Sequence, residues 1–139
     1  LGSAGVDILI GGGGLDKLTG GAGRDSLTGN AQADRFIFQN INESTIALSD
    51  TIMDFSRLEG DKIDLAKIDA NTINANNQAF TFIGTNAFSG GGAAGAGQLR
   101  YQQVNGVTHV SGDVNGDGSA DFMIELMTLV PLQSTDFIL

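Results

Sequence analysis

Four aspartates, Asp7, Asp16, Asp25 and Asp34, stand nine residues apart, each closing a stretch rich in glycine. Written in nines, residues 2–37 read GSAGVDILI, GGGGLDKLT, GGAGRDSLT and GNAQADRFI. They follow the pattern G-G-x-G-x-D-x-U-x, with U apolar, that binds Ca²⁺ in stacked parallel coils. The second and third repeats are complete; the first and fourth are degenerate. The spacing has a chemical reason. Glycine tolerates left-handed backbone, so the turn closes tightly and aims its carbonyls inward, where the aspartate adds a carboxylate. Ca²⁺ is a hard cation that collects about six to eight such oxygens. The candidate ligands are therefore the carboxylates of Asp7, Asp16, Asp25 and Asp34 and the carbonyls of Gly11, Gly12, Gly14, Gly20, Gly21, Gly23 and Gly29.

Further along, Asp54 before Phe55 and Asp61 after Gly60 put carboxylates on a turn between apolar stretches. They are candidate ligands too, with turn capping, and capping of a short helix near residues 64–69, as the structural alternative. The segment Asp113-Val-Asn115-Gly-Asp117-Gly118-Ser-Ala-Asp121 carries oxygens at loop positions 1, 3, 5 and 9 and glycine at 6, as an EF-hand loop does. Its twelfth position is Ile124, with Glu125 one residue late, so the bidentate ligand is missing. Asp113, Asn115, Asp117 and Asp121 are thus a weaker candidate calcium set, set against a β-turn capped by its own side chains. His109 is the only histidine and lies on an expected strand beside Thr108 and Val110, without a second base or nucleophile. No catalytic arrangement can be built on it.

The elements that must position these groups are strands. Three residues follow each turn, and their apolar position, Leu9, Leu18, Leu27 or Phe36, faces a narrow shared core. Two repeats make one coil of a parallel β-roll, so residues eighteen apart become neighbours at ~4.8 Å, one strand spacing. Asp7 then meets Asp25, and Asp16 meets Asp34. Carboxylates that close repel unless a cation sits between them. A flexible Gly/Asp linker would have no reason to keep either the register or the apolar position. Two coils are few for a solenoid, which needs about three repeats, so a longer array is expected upstream, with the fourth repeat, bearing Asn30 and Gln32, as the closing cap.

Beyond the repeats, strands are expected over 36–38, 51–55, 79–83, 98–104, 107–111 and 122–127. Asn105-Gly106 marks a type I′ hairpin between two of them. Residues 89–97, small and glycine-rich, form a loop expected to be mobile. The expectation is an all-β chain: a calcium-bound parallel β-roll over 1–37, then a mostly antiparallel β cap over 38–139.

The 139 residues carry 16 Asp plus Glu against 7 Lys plus Arg, a net charge of −9, which excludes a nucleic-acid partner. Thirteen of those acids are Asp, the short side chain that suits tight ligand loops. With 41% hydrophobic residues the chain can bury a core. There is no cysteine, hence no disulfide and no thiolate site. No apolar run reaches the ~20 residues of a membrane span, and Leu1-Gly2-Ser3 opens no cleavable signal, so export would be addressed by other means.

With the repeats, the DF…DKIDL stretch, the DVNGDGSADF loop and the DFIL terminus together, the chain resembles the C-terminal RTX domain of the serralysins, secreted zinc metalloproteases of Gram-negative bacteria. The resemblance runs over nearly all of the chain. It implies a calcium-filled β-roll that follows an N-terminal catalytic domain and is exported unfolded by a type I ABC secretion apparatus to the extracellular medium. It carries the family's calcium-ligating aspartates onto Asp7, Asp16, Asp25 and Asp34, and onto Asp54 and Asp61. It makes Asp136, Phe137, Ile138 and Leu139 an uncleaved secretion signal, where the residues alone allow a closing core strand. The protease itself is missing: there is no H-E-x-x-H here. The nonapeptides are shared with haemolysins, lipases, alginate epimerases and adhesins. The alternative is therefore a carbohydrate- or partner-binding module of another extracellular protein. Such a face should show aromatics or basic residues in a row, yet aromatics are 6% and the basic residues look scattered.

Overall fold

The computed structural model describes all of residues 1–139. Thirteen strands follow one another: β1 (Ala4–Gly5), β2 (Ile8–Gly13), β3 (Lys17–Leu18), β4 (Ala22–Gly23), β5 (Ser26–Ala31), β6 (Arg35–Ile37), β7 (Asp50–Ile52), β8 (Lys62–Asp64), β9 (Thr81–Phe82), β10 (Gln98–Val104), β11 (Val107–Asp113), β12 (Phe122–Leu126) and β13 (Phe137–Ile138). The only helical turns are three short 3₁₀ segments, so the chain is all-β.

The eighteen-residue register is present. Leu9 lies beside Leu27 in the parallel pair β2/β5, Leu18 beside Phe36 in β3/β6, and Ala4 beside Ala22 in β1/β4. The alternation of a strand turns one residue in two inward, and the inward ones stack in two columns. One runs Leu9, Leu27, Ile52, Leu126; the other runs Leu18, Phe36, Ile63, Phe137. Leu27, Ile52, Phe36 and Ile63 are fully buried. The columns face each other across the roll and, apart from the half-buried Leu9 that packs against it, belong to one continuous core of 19 residues, which also takes in Phe55, Phe80, Leu99, Val110, Phe122 and Ile124.

The fourth repeat does not close the roll. Asn30 and Gln32 adopt the positive φ of 70° and 80° that glycines supply in the earlier turns, and asparagine tolerates that conformation, so the turn keeps its shape. A third coil then stacks on it, β7 beside β5 and β8 beside β6. The ladders are continuous across residue 37, where the sequence suggested a change of unit.

The seven-stranded sheet runs β2-β5-β7-β12-β11-β10-β9 and the four-stranded sheet β13-β8-β6-β3. The cap is an antiparallel meander, β10-β11-β12, joined edge-on to the roll through the parallel pair β12/β7. Asn105 and Gly106, both left-handed at φ 52° and 87°, make the turn between β10 and β11, as type I′ geometry requires. Strand β8 occupies ground where a helix start was the alternative, because Ile63 completes an apolar column. Loop 89–97, expected to be mobile, is tied down instead. Gly92 N donates to Gly116 O at 2.9 Å, Gly97 N to Asp113 O at 2.7 Å, and Asn71 Nδ2 to Ala93 O at 3.1 Å. No helix is long and apolar enough to cross a membrane.

Candidate metal centre

The aspartates of the repeats form two vertical columns, one on each edge of the roll. In the first, Asp7 N donates to Asp25 Oδ1 at 2.8 Å, and Asp25 N donates to Asp50 Oδ1 at 2.8 Å. In the second, Asp16 N donates to Asp34 Oδ1 and Asp34 N to Asp61 Oδ1, both at 2.9 Å. Each carboxylate thus caps the amide of its counterpart one coil earlier. The carbonyl side repeats as regularly, with Ser26 N bonded to Asp7 O, Thr51 N to Asp25 O, Arg35 N to Asp16 O and Lys62 N to Asp34 O.

The second oxygens are not provided for. Oδ2 of Asp16, Asp25, Asp34 and Asp50 is buried without a hydrogen-bond partner. In each repeat that oxygen points back across its own turn. A Cβ added to Gly11, Gly20 or Gly29 would lie 2.7, 2.4 or 2.2 Å from Oδ2 of Asp16, Asp25 or Asp34. The absent side chains leave a cradle lined by a carboxylate oxygen and by turn backbone. A buried acceptor without a donor costs ~1–3 kcal/mol, and a buried charge more, so several in one stack favour either a cation that meets them or a proton that neutralises them. Nowhere do three or more His, Asp or Glu side chains converge as a metal cluster; a cation here would draw most of its oxygens from turn carbonyls. That donor set, carboxylate plus carbonyl and no nitrogen or sulfur, fits Ca²⁺.

Asp50 was not legible as a site residue. It stands 25 residues after Asp25, because the insertion 39–49 lengthens its coil, and so falls outside the nine-residue register. The signal that finds it is the shorter unit D-x-U: Asp50-Thr-Ile52 and Asp61-Lys-Ile63 repeat the spacing of Asp25-Ser-Leu27. Burial pushes the Asp50 carboxyl up to about 7, with the charges of Asp25 and Glu43 adding to the rise and the bond from the Asp25 amide opposing it. Burial likewise raises Asp61, against bonds from the Asp34 and Ser56 amides.

The other candidates are differently placed. Asp7, at the first coil, has Oδ2 taken by Ser3 N at 2.8 Å. Asp54 uses Oδ1 for Gly29 N and Oδ2 for Asn30 N, at 3.0 and 2.8 Å, and so caps the fourth turn. Asp61 spends both oxygens on amides, those of Asp34 and Ser56. In the 113–121 loop, Asp113 accepts from Gly116 N and Gly118 N, and Asp121 from Val114 N and from both nitrogens of Asn115. Asn115 and Asp117 cap Asp117 N and Ser119 N in turn. That loop is satisfied from within. His109 faces Glu125 on β12 and Gln102 on β10.

At the terminus, Asp136 is buried and receives Gln133 N at 2.7 Å and the Arg57 guanidinium at 2.8 Å. Phe137 and Ile138 form β13 beside Ile63 and Asp64, and the Phe137 ring lies 5.1 Å from that of Phe82. In the folded chain these residues are a closing strand.

Stacked glycine turns, paired apolar columns and aspartate columns on both edges define a parallel β-roll repeat module with a β cap. The chain belongs to the family described as the Peptidase M10 serralysin C terminal, which it matches over residues 1–139. It is 41% identical over 89 residues to metalloprotease AprA of Pseudomonas entomophila, a match that spans 64% of this chain and 17% of that protein. Two solved structures share the fold. The R2 subunit of the mannuronan C5-epimerase AlgE6 of Azotobacter vinelandii has a TM-score of 0.63 at 24% identity, over 98% of this chain and 89% of that one. The R3 subunit of the same enzyme has a TM-score of 0.53 at 21% identity, over 99% and 80%.

Proposed function

We propose that the chain is the non-catalytic, calcium-set folding and secretion module of a type I-secreted, serralysin-like zinc metalloprotease. The observation that carries this is the set of four buried Oδ2 atoms, on Asp16, Asp25, Asp34 and Asp50, that lack a donor. Ca²⁺ would be held by these carboxylates with carbonyls of the glycine turns around Gly11, Gly12, Gly14, Gly20, Gly21, Gly23 and Gly29. Asp7 would serve the first coil. Asp54 and Asp61 would act as supports that orient the fourth turn and the third coil. Asp113, Asn115, Asp117 and Asp121 would form a self-capped turn. The bound ion supplies positive charge between coils; the residues supply the cage and the strands that stack once it is neutral.

In calcium-poor cytoplasm, the net charge of −9 and the uncompensated columns would keep the repeats open. Outside the cell, calcium would turn binding free energy into folding free energy. Residues 136–139 would be read as the export address while the chain is loose, and the catalytic domain would precede Leu1. Circular dichroism of this chain in chelator, then in millimolar Ca²⁺, tests the reading. A large gain of β content on adding calcium is expected. Equal β content in both states would refute calcium-set folding.

A further inference from the structure

The chain has three methionines, Met53, Met123 and Met127, and one histidine, His109, and the seven-stranded sheet brings all four to one face. Strand β12 pairs in parallel with β7 and antiparallel with β11, so that Glu125 has Thr51 on one side and His109 on the other. The β12/β7 ladder continues by one residue through the bond from Met127 N to Ile52 O at 3.0 Å, which sets Met127 beside Met53, one strand spacing of ~4.8 Å away. Ile52, Leu126, Thr108 and Val110 are buried, so alternation turns Met53, Met127 and His109 outward, and Met123, between the buried Phe122 and Ile124, turns outward with them. Met127 and His109 are diagonal neighbours across an antiparallel pair, with Cβ atoms ~7–8 Å apart, a gap that long side chains close.

We infer that Met53, Met127 and His109 form a binding site for a soft monovalent cation such as Cu⁺ or Ag⁺. Methionine is ordinarily a core residue, yet none of the three belongs to the 19-residue core, and Met53 and Met127 are 42% and 48% exposed. Their contribution to holding the fold is correspondingly small. The donors decide the ion. Ca²⁺ takes oxygen ligands and gains nothing from a thioether. Zn²⁺ takes imidazole, thiolate and carboxylate ligands, and no three His, Asp or Glu side chains converge on this face. Two thioethers and one imidazole suit a soft ion such as Cu⁺. Glu125, opposite His109 and held by Ser49 Oγ at 3.0 Å, puts a negative charge beside them, and the net charge of −9 concentrates cations at the surface. The proposal goes beyond the folding role and does not rest on it, since none of these side chains belongs to the aspartate columns.

Titration of the calcium-loaded chain with Ag⁺ in chloride-free buffer, read by the methyl resonances of ¹³C-labelled methionine and the ring signals of His109, tests it. One equivalent is expected to shift Met53, Met127 and His109 in step and then saturate. Cu⁺, kept reduced by ascorbate and in competition with bicinchoninate, should fill the same site. Met53→Leu/Met127→Leu should lower Ag⁺ affinity about tenfold or more, with circular dichroism unchanged, because leucine keeps the volume and removes the sulfur. If that double variant does not fold, His109→Gln decides, and a clear loss of affinity is still expected. Met123→Leu should change affinity least. No saturable binding, equal affinity in the variants, a larger loss in Met123→Leu than in the double variant, or displacement of Ag⁺ by excess Ca²⁺ or Zn²⁺ would each overturn the proposal.

Discussion

Asp25, Asp34 and Asp50 each have two oxygens with different tasks. Oδ1 caps an amide of the coil before, whereas Oδ2, like that of Asp16, has no donor. Asp25→Ala should therefore abolish most of the calcium-induced gain in β content. Asp113→Ala, which frees the amides of Gly116 and Gly118, should lower stability by ~1–2 kcal/mol with calcium and without it. Calcium titrations of both variants separate the two roles, and a larger loss of calcium response in Asp113→Ala would make that loop the main site. Asp50 adds a pH dependence. Burial lifts its pKa to about 7 in the folded chain, above the ~3.9 of an ordinary aspartate, so between these values the folded chain keeps a proton that the unfolded chain releases. Without calcium, this group favours folding most at the acid end of that window, and the advantage is lost as pH rises through about 7. In chelator, β content should rise as pH falls from about 7 to about 5. Asp50→Asn should already show more β content at neutral pH and a shallower slope, with Asp61 and Glu43, both raised by burial, supplying the remainder. Identical pH profiles for the two proteins would assign the titration elsewhere.

At the level of elements, the glycine turns are fixed by close approach as well as by ligand geometry. Gly23 has φ 143°, and a Cβ there would lie 1.7 Å from Gly5 O, a backbone atom of the coil above. Gly23→Ala should cost ~1–3 kcal/mol from the backbone conformation alone, and more from the clash. Gly13, where an added Cβ meets nothing within 4 Å, should accept alanine within ~0.5 kcal/mol. Denaturant midpoints in calcium test the contrast, and equal costs would mean that the coils are not packed this closely. The same contrast explains what was readable beforehand. The register of coils one and two, the two apolar columns and the β10/β11 hairpin were legible, because repeat period, alternation and Asn105-Gly106 are local signals. The third coil was not. Its strands β7 and β8 are three residues each, and an insertion breaks their period, so Asp50 carried no periodic mark and Asp61 read equally well as a turn cap. Loop 89–97 looked free because its partners, Asp113 and Gly116, lie far along the chain and are joined to it through backbone groups alone.

For the whole molecule, the two ends of the folding reaction are linked through β8. Asp61 receives the amide of Asp34 just before the strand, Ile63 extends the apolar column, and β13 then pairs with β8 while Leu65 N donates to Ile138 O at 2.8 Å. The last residues therefore dock onto a strand whose own position depends on the aspartate columns. On the proposed reading, an unfolded ladder would leave the terminus free, and the folded one holds Phe137 in the core and Asp136 on Arg57. This ordering reconciles an export address with a closing strand, because the same four residues would act before calcium arrives and pack afterwards. Deleting residues 136–139 should sharply reduce export through a type I apparatus. It should also lower the stability of the calcium-loaded chain by about 3–5 kcal/mol, the range for removing a buried aromatic. The calcium-induced formation of coils one and two should survive, since β2, β3, β5 and β6 make no pairing with β13. Export assays and calcium titrations on the truncated chain distinguish the outcomes. Normal export would leave the terminus a closing strand only, while retention together with a loss of calcium-induced folding would make it a structural element first and remove the support for an address.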